Sequence, residues 1–261
     1  MIAFDMPESE YQEINALRST FLRSMLRTTP QQAFADALEG GEDSEAKRFG
    51  RLLHMVVLEP KRAERMLVDL PEFVGKGSRA LKDAFMHMNL DRIPVKPKVR
   101  AQLYAMRDAV LSHPIAGPMF SCDGRNEVSA VWDDPLGFTA KSRIDRIYDL
   151  RPSLAIAELK STRNAQEDFF RYDCEQYGYY VEAAMQLRAL DICTGEHLRP
   201  YHFVAVEKVE PYRVQVYYLR RSDRALGAQK MLRGMEVYAE CLRTGEWPDA
   251  PIFGDPMEGV A

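Results

Sequence analysis

Two stretches that alternate with a period of two residues constrain this chain most: Phe138 to Ile147, and the apolar run Ala155-Ile156-Ala157 that leads into Glu158-Leu159-Lys160. In an extended chain successive side chains point to opposite faces. Glu158 and Lys160 therefore share a face while Leu159 turns to the core. In the first stretch Lys141, Arg143 and Asp145 lie on one face, with Phe138, Ala140 and Ile144 on the other. The link Tyr148-Asp149-Leu150-Arg151-Pro152-Ser153 is rich in turn residues, so the two strands are expected to form a hairpin that brings Asp145 close to Glu158.

Further strands are expected at 125–132, 201–206 and 212–219, with a helix near 175–191 between the third and fourth strands and a long helix over 224–243. The first half reads as helical. Residues 11–39 form one helical region with Asn15 as a candidate N-cap and Pro30 as a break. Helices over 46–58, 76–91 and 98–112 follow, the last two separated by Pro94-Val95-Lys96-Pro97. The fold class that results is α/β (α+β), a central mixed β-sheet flanked by helices. One domain is expected across residues 1–261: a mostly helical part over 1–115, a sheet core over 125–220, and a C-terminal helix and irregular tail over 224–261.

Hydrophobic residues make up 46% and charged residues 28%, an ordinary balance for a globular protein that argues against extensive disorder. No apolar run approaches the ~18 residues of a membrane span, and the opening residues carry no basic region before an apolar core. A cytoplasmic location with no membrane partner is the expectation. The four cysteines, Cys122, Cys174, Cys193 and Cys241, are scattered and form no CxxC pair, which gives neither a zinc knuckle nor a disulfide framework. With 35 Lys and Arg against 39 Asp and Glu the net charge is -4, so contact with a polyanion has to be local.

Paired carboxylates such as Asp145 and Glu158 suit a hard divalent cation, which takes a few carboxylate oxygens and lets a substrate phosphate complete its shell. Bound metal activates water and offsets charge on phosphorus, and Lys160 beside it can orient that water. The competing reading is that both acids are ordinary exposed strand residues and Lys160 solvates a face. His54, among Leu52, Leu53, Met55 and Val56, reads from the residues alone as a core histidine or as a ligand.

The order of hairpin, strand and helix around Asp145 and Glu158-x-Lys160 resembles the core of the PD-(D/E)xK nucleases, with Ile144 where that pattern has proline. Residues 14–60, with Gly50-x-x-x-His54 and Leu58-Glu59-Pro60, are similar to the N-terminal region of RecE (exonuclease VIII). Together these features resemble the phage-type alkaline exonucleases, the group that contains RecE and lambda exonuclease, over roughly residues 14–220. The resemblance implies that Asp145, Glu158, the Leu159 carbonyl and His54 bind metal, that Lys160 is the catalytic lysine, and that Glu127 is a further acid; Glu127 otherwise reads as an exposed strand residue. Mg2+ is the implied ion, with Mn2+ as a substitute. The Gln-x-x-x-Tyr signature of related nucleases falls on Glu182 and Gln186 beside Tyr179, or literally on Gln176 and Tyr180. Glu182 would sit beside metal or substrate and Gln186 against backbone phosphate, unless both simply form a half-exposed helix face.

The implied activity is 5′-to-3′ digestion of double-stranded DNA, leaving a 3′ single strand for an annealing protein of the RecT/Red-beta type and so serving recombination. Capture of a 5′-phosphorylated end would fall to Arg18, Ser19 and Thr20, with Arg23 and Arg27 further along, unless these arginines are only a solvated face. Lys76-Gly77-Ser78-Arg79 and Lys96-Pro97-Lys98 are candidates for tracking the duplex. The same resemblance implies a ring-shaped homo-oligomer, trimer or tetramer, around the DNA. Rival expectations are a CRISPR-associated iron-sulfur nuclease or a restriction-type nuclease of the same fold, and a DNA-binding subunit without catalysis.

Overall fold

The alternating stretches become the middle of a seven-stranded sheet. The computed structural model describes residues 1–4, 6–40, 44–71, 79–150, 153–195 and 200–253. In chain order its elements are β1 (Ile2–Ala3), α1 (Glu8–Glu13), β2 (Leu17–Arg18), α2 (Ser19–Arg27), α3 (Pro30–Glu39), α4 (Glu45–Leu58) and α5 (Pro60–Met66). Then come β3 (Leu67–Asp69), α6 (Arg79–Met88), β4 (Ile93–Val95), α7 (Pro97–Ser112), α8 (Ala116–Ser121), β5 (Gly124–Asp134), β6 (Phe138–Leu150) and β7 (Ser153–Thr162). The chain continues through α9 (Glu167–Gln176), α10 (Tyr179–Thr194), β8 (Tyr201–Glu207), β9 (Val214–Tyr218) and α11 (Arg221–Thr244).

The strand order is β1-β5-β6-β7-β8-β9; β7 and β8 run parallel, the other neighbours along this path are antiparallel, and β3 and β4 form a separate two-stranded sheet. The mixed sheet with flanking helices is therefore the fold class expected. Its central feature is a split. The β6–β7 ladder runs from Leu150↔Ser153 to Arg146↔Ala157 and stops there. Beyond the split β2 takes over the edge of β6, pairing Leu17 with Ala140 and Arg18 with Lys141. Asp145 and Glu158 sit where the two strands part.

Helices bury both sheet faces. Leu159, Ala157 and Val204 pack under α4 and α7 with Leu53, Val56, Leu103 and Met106, all essentially solvent-free. The opposite face carries Ile144, Ile156 and Phe203 under Phe170, Ala183 and Leu187 of α9 and α10. Each such buried aliphatic side chain contributes about 1.5–3 kcal/mol. This two-sided burial explains why β7 and β8 read as nearly continuous apolar runs.

The N-terminal helical region differs from the expectation. Instead of one helix interrupted at Pro30, residues 8–39 hold three helices and a short strand. Asn15 caps nothing. Arg18 occupies the N-cap of α2, and Pro30 opens α3 at a position where its missing N–H is not needed, behind a Thr29 hydroxyl that accepts from Gln32 N–H. The helix expected near 175–191 is likewise two helices, α9 and α10, separated at Tyr177-Gly178. Residues 248–253, the described part of the tail, are irregular, and Trp247 stacks on Phe34 with ring centroids 4.3 Å apart. No described helix is long and apolar enough to cross a membrane.

Candidate active site

Three neighbouring strands each present an acid at the split. In the β5–β6 register Asn126 pairs with Arg146 and Val128 with Ile144, and the ladder skips Glu127, which faces Asp145. Glu127 has φ 52, in the left-handed region. A non-glycine residue held there costs about 1–3 kcal/mol, and such strain gathers at functional sites. On the other side Asp145 is freed from β7: its N–H donates to Glu158 Oε2 at 3.4 Å, and its Oδ2 accepts from Leu159 N–H at 2.7 Å. The carboxylate of Asp145 thus replaces a ladder bond and holds the strands apart.

His54 reaches this point from α4. Its Nδ1 lies 3.1 Å from Asp145 Oδ1 and its Nε2 lies 3.0 Å from the Leu159 carbonyl oxygen. Both neighbours are acceptors, so the ring satisfies both only as an imidazolium. Its pKa moves accordingly: desolvation lowers it, but the Asp145 carboxylate beside it outweighs that and raises it to about 9. The acids move the same way. Burial, reinforced by the charge of Asp145, pushes Glu127 up to about 7 and Glu158 up to about 8. Three acids, each with a basic partner, are thus crowded into one spot.

Lys160 balances the far side. Its Nζ lies 3.0 Å from both Glu158 Oε1 and Glu182 Oε2, and 4.9 Å from the centre of the Tyr179 ring. Burial disfavours its charge, yet Glu158 and Glu182 together raise its pKa, so it is a fixed ammonium. Glu182 also meets Arg23 Nη1 at 3.4 Å. Against the burial that raises it, Arg23 and Lys160 hold Glu182 down to about 2. Arg23 donates to the Tyr177 carbonyl oxygen at 2.9 Å and passes over Gly178. A Cβ at Gly178 would come within 2.9 Å of Arg23 Cδ, and its φ of 66 lies in the left-handed region that suits glycine.

Several expected residues stand elsewhere. Gln186, expected against backbone phosphate, is 1% exposed and engaged within the protein: it donates to the Arg143 carbonyl oxygen at 3.1 Å and accepts from Tyr201 Oη at 2.8 Å. It props β6 from beneath. Gln176 and Tyr180 flank the break between α9 and α10 and do not share a helix. Arg18 and Thr20 are exposed and Ser19 half-buried at the start of α2, where Arg18 donates to Gln12 Oε1 at 3.0 Å. Lys96 and Lys98 are exposed at the start of α7, while Lys76-Gly77-Ser78 lies outside the described residues. The four cysteines form no common site: Cys174 and Cys241 are buried in α9 and α11, Cys193 lies in α10, and Cys122 is exposed.

Residues not assigned a role from the sequence complete the surroundings. Arg143, on the Asp145 face, joins Glu127 at 2.8 Å to Glu8 at 2.6 Å and donates to the Met6 carbonyl oxygen. Lys141 holds the end of α1 through the carbonyl oxygens of Tyr11 and Ile14, at 2.6 and 2.7 Å. The period-two pattern did place both side chains on the Asp145 side; only the folded chain shows that they fasten α1 beside it.

The donor set fits a divalent cation. Among the described residues, His54, Glu127 and Asp145 form the one group of metal-ligating side chains whose donor atoms gather within 4.8 Å. Glu158 stands outside that trio, bonded to Lys160 and to Asp145 N–H. The Leu159 carbonyl oxygen on His54 supplies another hard donor. Carboxylates, a carbonyl and one imidazole, with protons now offsetting their charge, match what an oxygen-seeking divalent ion requires.

The fold has counterparts among known proteins. No curated protein matches the chain. The crystal structure of a "putative exonuclease" from Eubacterium rectale is similar over 94% of this chain and 88% of its own, with a TM-score of 0.58 at 13% identity, a likeness of fold. A second structure, SSO0001, covers 85% of this chain and 76% of its own at 12% identity, and its TM-score of 0.43 carries no weight. The model of a PDDEXK-like domain of unknown function, DUF3799, matches residues 19–251. The chain belongs to this DUF3799 family of PDDEXK-like domains, and so to the PD-(D/E)xK nuclease superfamily.

Proposed function

We propose that this chain is a Mg2+-dependent exonuclease that digests double-stranded DNA from 5′ ends, with Mn2+ as a substitute ion. The observation that carries the reading is the gathering of His54, Glu127 and Asp145 beside Glu158 and Lys160 at the parting of β6 and β7. His54, Glu127 and Asp145 would hold the divalent cation, whose chemistry there would be Lewis-acid polarisation of the scissile phosphodiester and activation of water. The protein's part is positioning. Asp145 is fixed by Leu159 N–H, His54 by Asp145 and the Leu159 carbonyl, and Lys160 by two carboxylates and an aromatic face. Lys160, permanently charged, is set to offset negative charge developing on phosphate oxygens.

The exonuclease assignment draws on the RecE-like residues Gly50-x-x-x-His54 and Leu58-Glu59-Pro60 and on the likeness of fold to the "putative exonuclease" from Eubacterium rectale. Helix α2 supports recognition of a 5′ phosphate: its first residues, Ser19 and Thr20, offer backbone N–H groups at a positive helix end, Arg18 stands at the cap, and Arg23 one turn on is tied to Glu182. A ring-shaped homo-oligomer and delivery of the 3′ strand to an annealing protein of the RecT/Red-beta type belong to the same reading. An end-labelled duplex with Mg2+ tests it. Mononucleotides released from the 5′-phosphorylated strand, and slower digestion once that phosphate is removed, are expected. Nicking of a closed circle, or equal rates on both kinds of end, would contradict the exonuclease and end-recognition assignments respectively.

A further inference from the structure

A cavity of about 520 Å3 opens beside His54 and Glu127, and the α4 surface around Gly50 lines it. Glycine in a helix interior costs about 1 kcal/mol relative to alanine, because its backbone has more freedom to lose. Its presence there calls for a cause. Among the described residues, protein packing supplies none at Gly50, where an added Cβ meets no atom within 4 Å. Gly227 in α11 shows the contrast: its Cβ would fall 2.2 Å from the Tyr180 carbonyl oxygen, so packing alone demands glycine. Gly50 precedes His54 by one helical turn, on the same side of α4. The bare backbone therefore adjoins the metal-ligand cluster.

Around this patch stand Arg48, Arg51, Arg62 and Arg92, with Ile93 as part of an apolar wall. Arg48 donates to the Pro94 carbonyl oxygen at 2.8 Å, and Arg62 pairs with Glu59 at 2.8 Å. A guanidinium has five N–H donors, so Arg48 and Arg62 retain donors after those bonds. Arginines suit phosphate, an apolar wall suits a sugar or base, and the volume lies in the range of small-ligand pockets.

We propose that the Gly50 cavity is a nucleotide subsite: the nucleotide adjoining the scissile phosphate lies directly against the bare backbone of α4, and the arginines hold its phosphate. This inference rests on the nuclease reading of the His54 centre and extends it by naming where the strand lies. It also gives the Gly50-x-x-x-His54 pair one function, a ligand and the clearance beside it.

Gly50→Leu tests the proposal, because leucine forms helix better than glycine and fills the cavity without replacing a metal donor. The variant should melt at or above the parent temperature and bind Mn2+ as the parent does in calorimetry. Its kcat/KM on a duplex oligonucleotide should fall about tenfold or more. Arg92→Ala should raise KM with little change in kcat and reduce the salt dependence of binding by roughly one phosphate contact. A stable Gly50→Leu protein with parental kcat/KM overturns the proposal. If that variant melts below the parent, Gly50→Ala and Arg92→Ala decide, and parental KM and salt dependence in both overturn it. A parent protein that cleaves no nucleic acid with any divalent cation would instead defeat the nuclease reading and the subsite with it.

Discussion

Two buried acid clusters lie along the β5–β6 pair and are resolved in opposite ways. Near the β5–β6 turn, Asp134 accepts from Trp132 Nε1 at 3.0 Å, from Leu136 N–H at 3.1 Å, and from Arg188 through two bonds of 2.7 and 2.9 Å. Burial alone would raise its pKa, but the Arg188, Trp132 and Leu136 bonds outweigh that and hold it below the ordinary carboxylate value. Every lone pair is answered within the chain. At the β6–β7 split the acids have partners too, yet burial and mutual crowding prevail: Glu127 and Glu158 are pushed up to about 7 and 8, and the Asp145 carboxylate draws His54 up to about 9. An acid held below its ordinary pKa stabilises a fold, whereas acids crowded above theirs favour the arrival of a cation.

The contrast can be broken at either end. The largest expected effect is on activity: Asp145→Ala or Lys160→Ala should reduce duplex cleavage about a thousandfold, since each removes a positioned charge from the reacting centre. Parental rates in either would sink the assignment. Next comes Asp134→Asn, which leaves Arg188 without its counter-charge. It should cost about 2 kcal/mol in denaturant melts, less than a fully buried pair because Arg188 is partly exposed, while cleavage at moderate temperature persists. Because the folded state depresses the Asp134 pKa, its contribution is complete above the ordinary value of 3.8 and is lost as pH falls through the lower folded value. The variant should therefore lose part of the acid-side decline in stability, and an unchanged acid profile would contradict the satisfied-cluster description.

The smallest effect sharpens the comparison by its sign. Glu158 is raised from 4.5 to about 8, so above pH 4.5 its ionisation works against folding. Glu158→Gln should stabilise the metal-free protein at pH 8 by about 1 kcal/mol while abolishing cleavage, a gain in stability at the expense of function. Destabilisation in thermal melts with chelator present would show that the Lys160 partnership outweighs the crowding.

The sheet was legible because burial on alternate sides writes itself into sequence with a period of two. Phe138 to Ile147 and Ala155 to Lys160 therefore gave both strands and their facing sides, and put Asp145 near Glu158. Position along a strand, however, does not disclose where a ladder stops. The split at Arg146↔Ala157 depends on the Asp145 carboxylate capturing Leu159 N–H, a long-range bond with no local signal. Glu127 was ambiguous for a related reason, since its φ of 52 is imposed by neighbouring strands rather than by its own propensity. In the N-terminal half, helical periodicity overran Leu17-Arg18, where a place on the edge of β6 overrides helix preference. Gln186 illustrates the remaining limit: a polar residue in an amphipathic pattern reads as surface until Tyr201 and the Arg143 carbonyl claim it.

One cation between His54, Glu127 and Asp145, with the Leu159 carbonyl and Glu158 at its border, would organise the proposed centre. A crystal soaked in Mn2+ and measured for anomalous scattering addresses this directly. The predicted result is a peak bonded to Asp145 at about 2.2 Å, with His54 and at least one of Glu127 or Glu158 in its shell. An empty site at saturating Mn2+ in ordered crystals, or a peak bound only by residues away from the β6–β7 split, would contradict it.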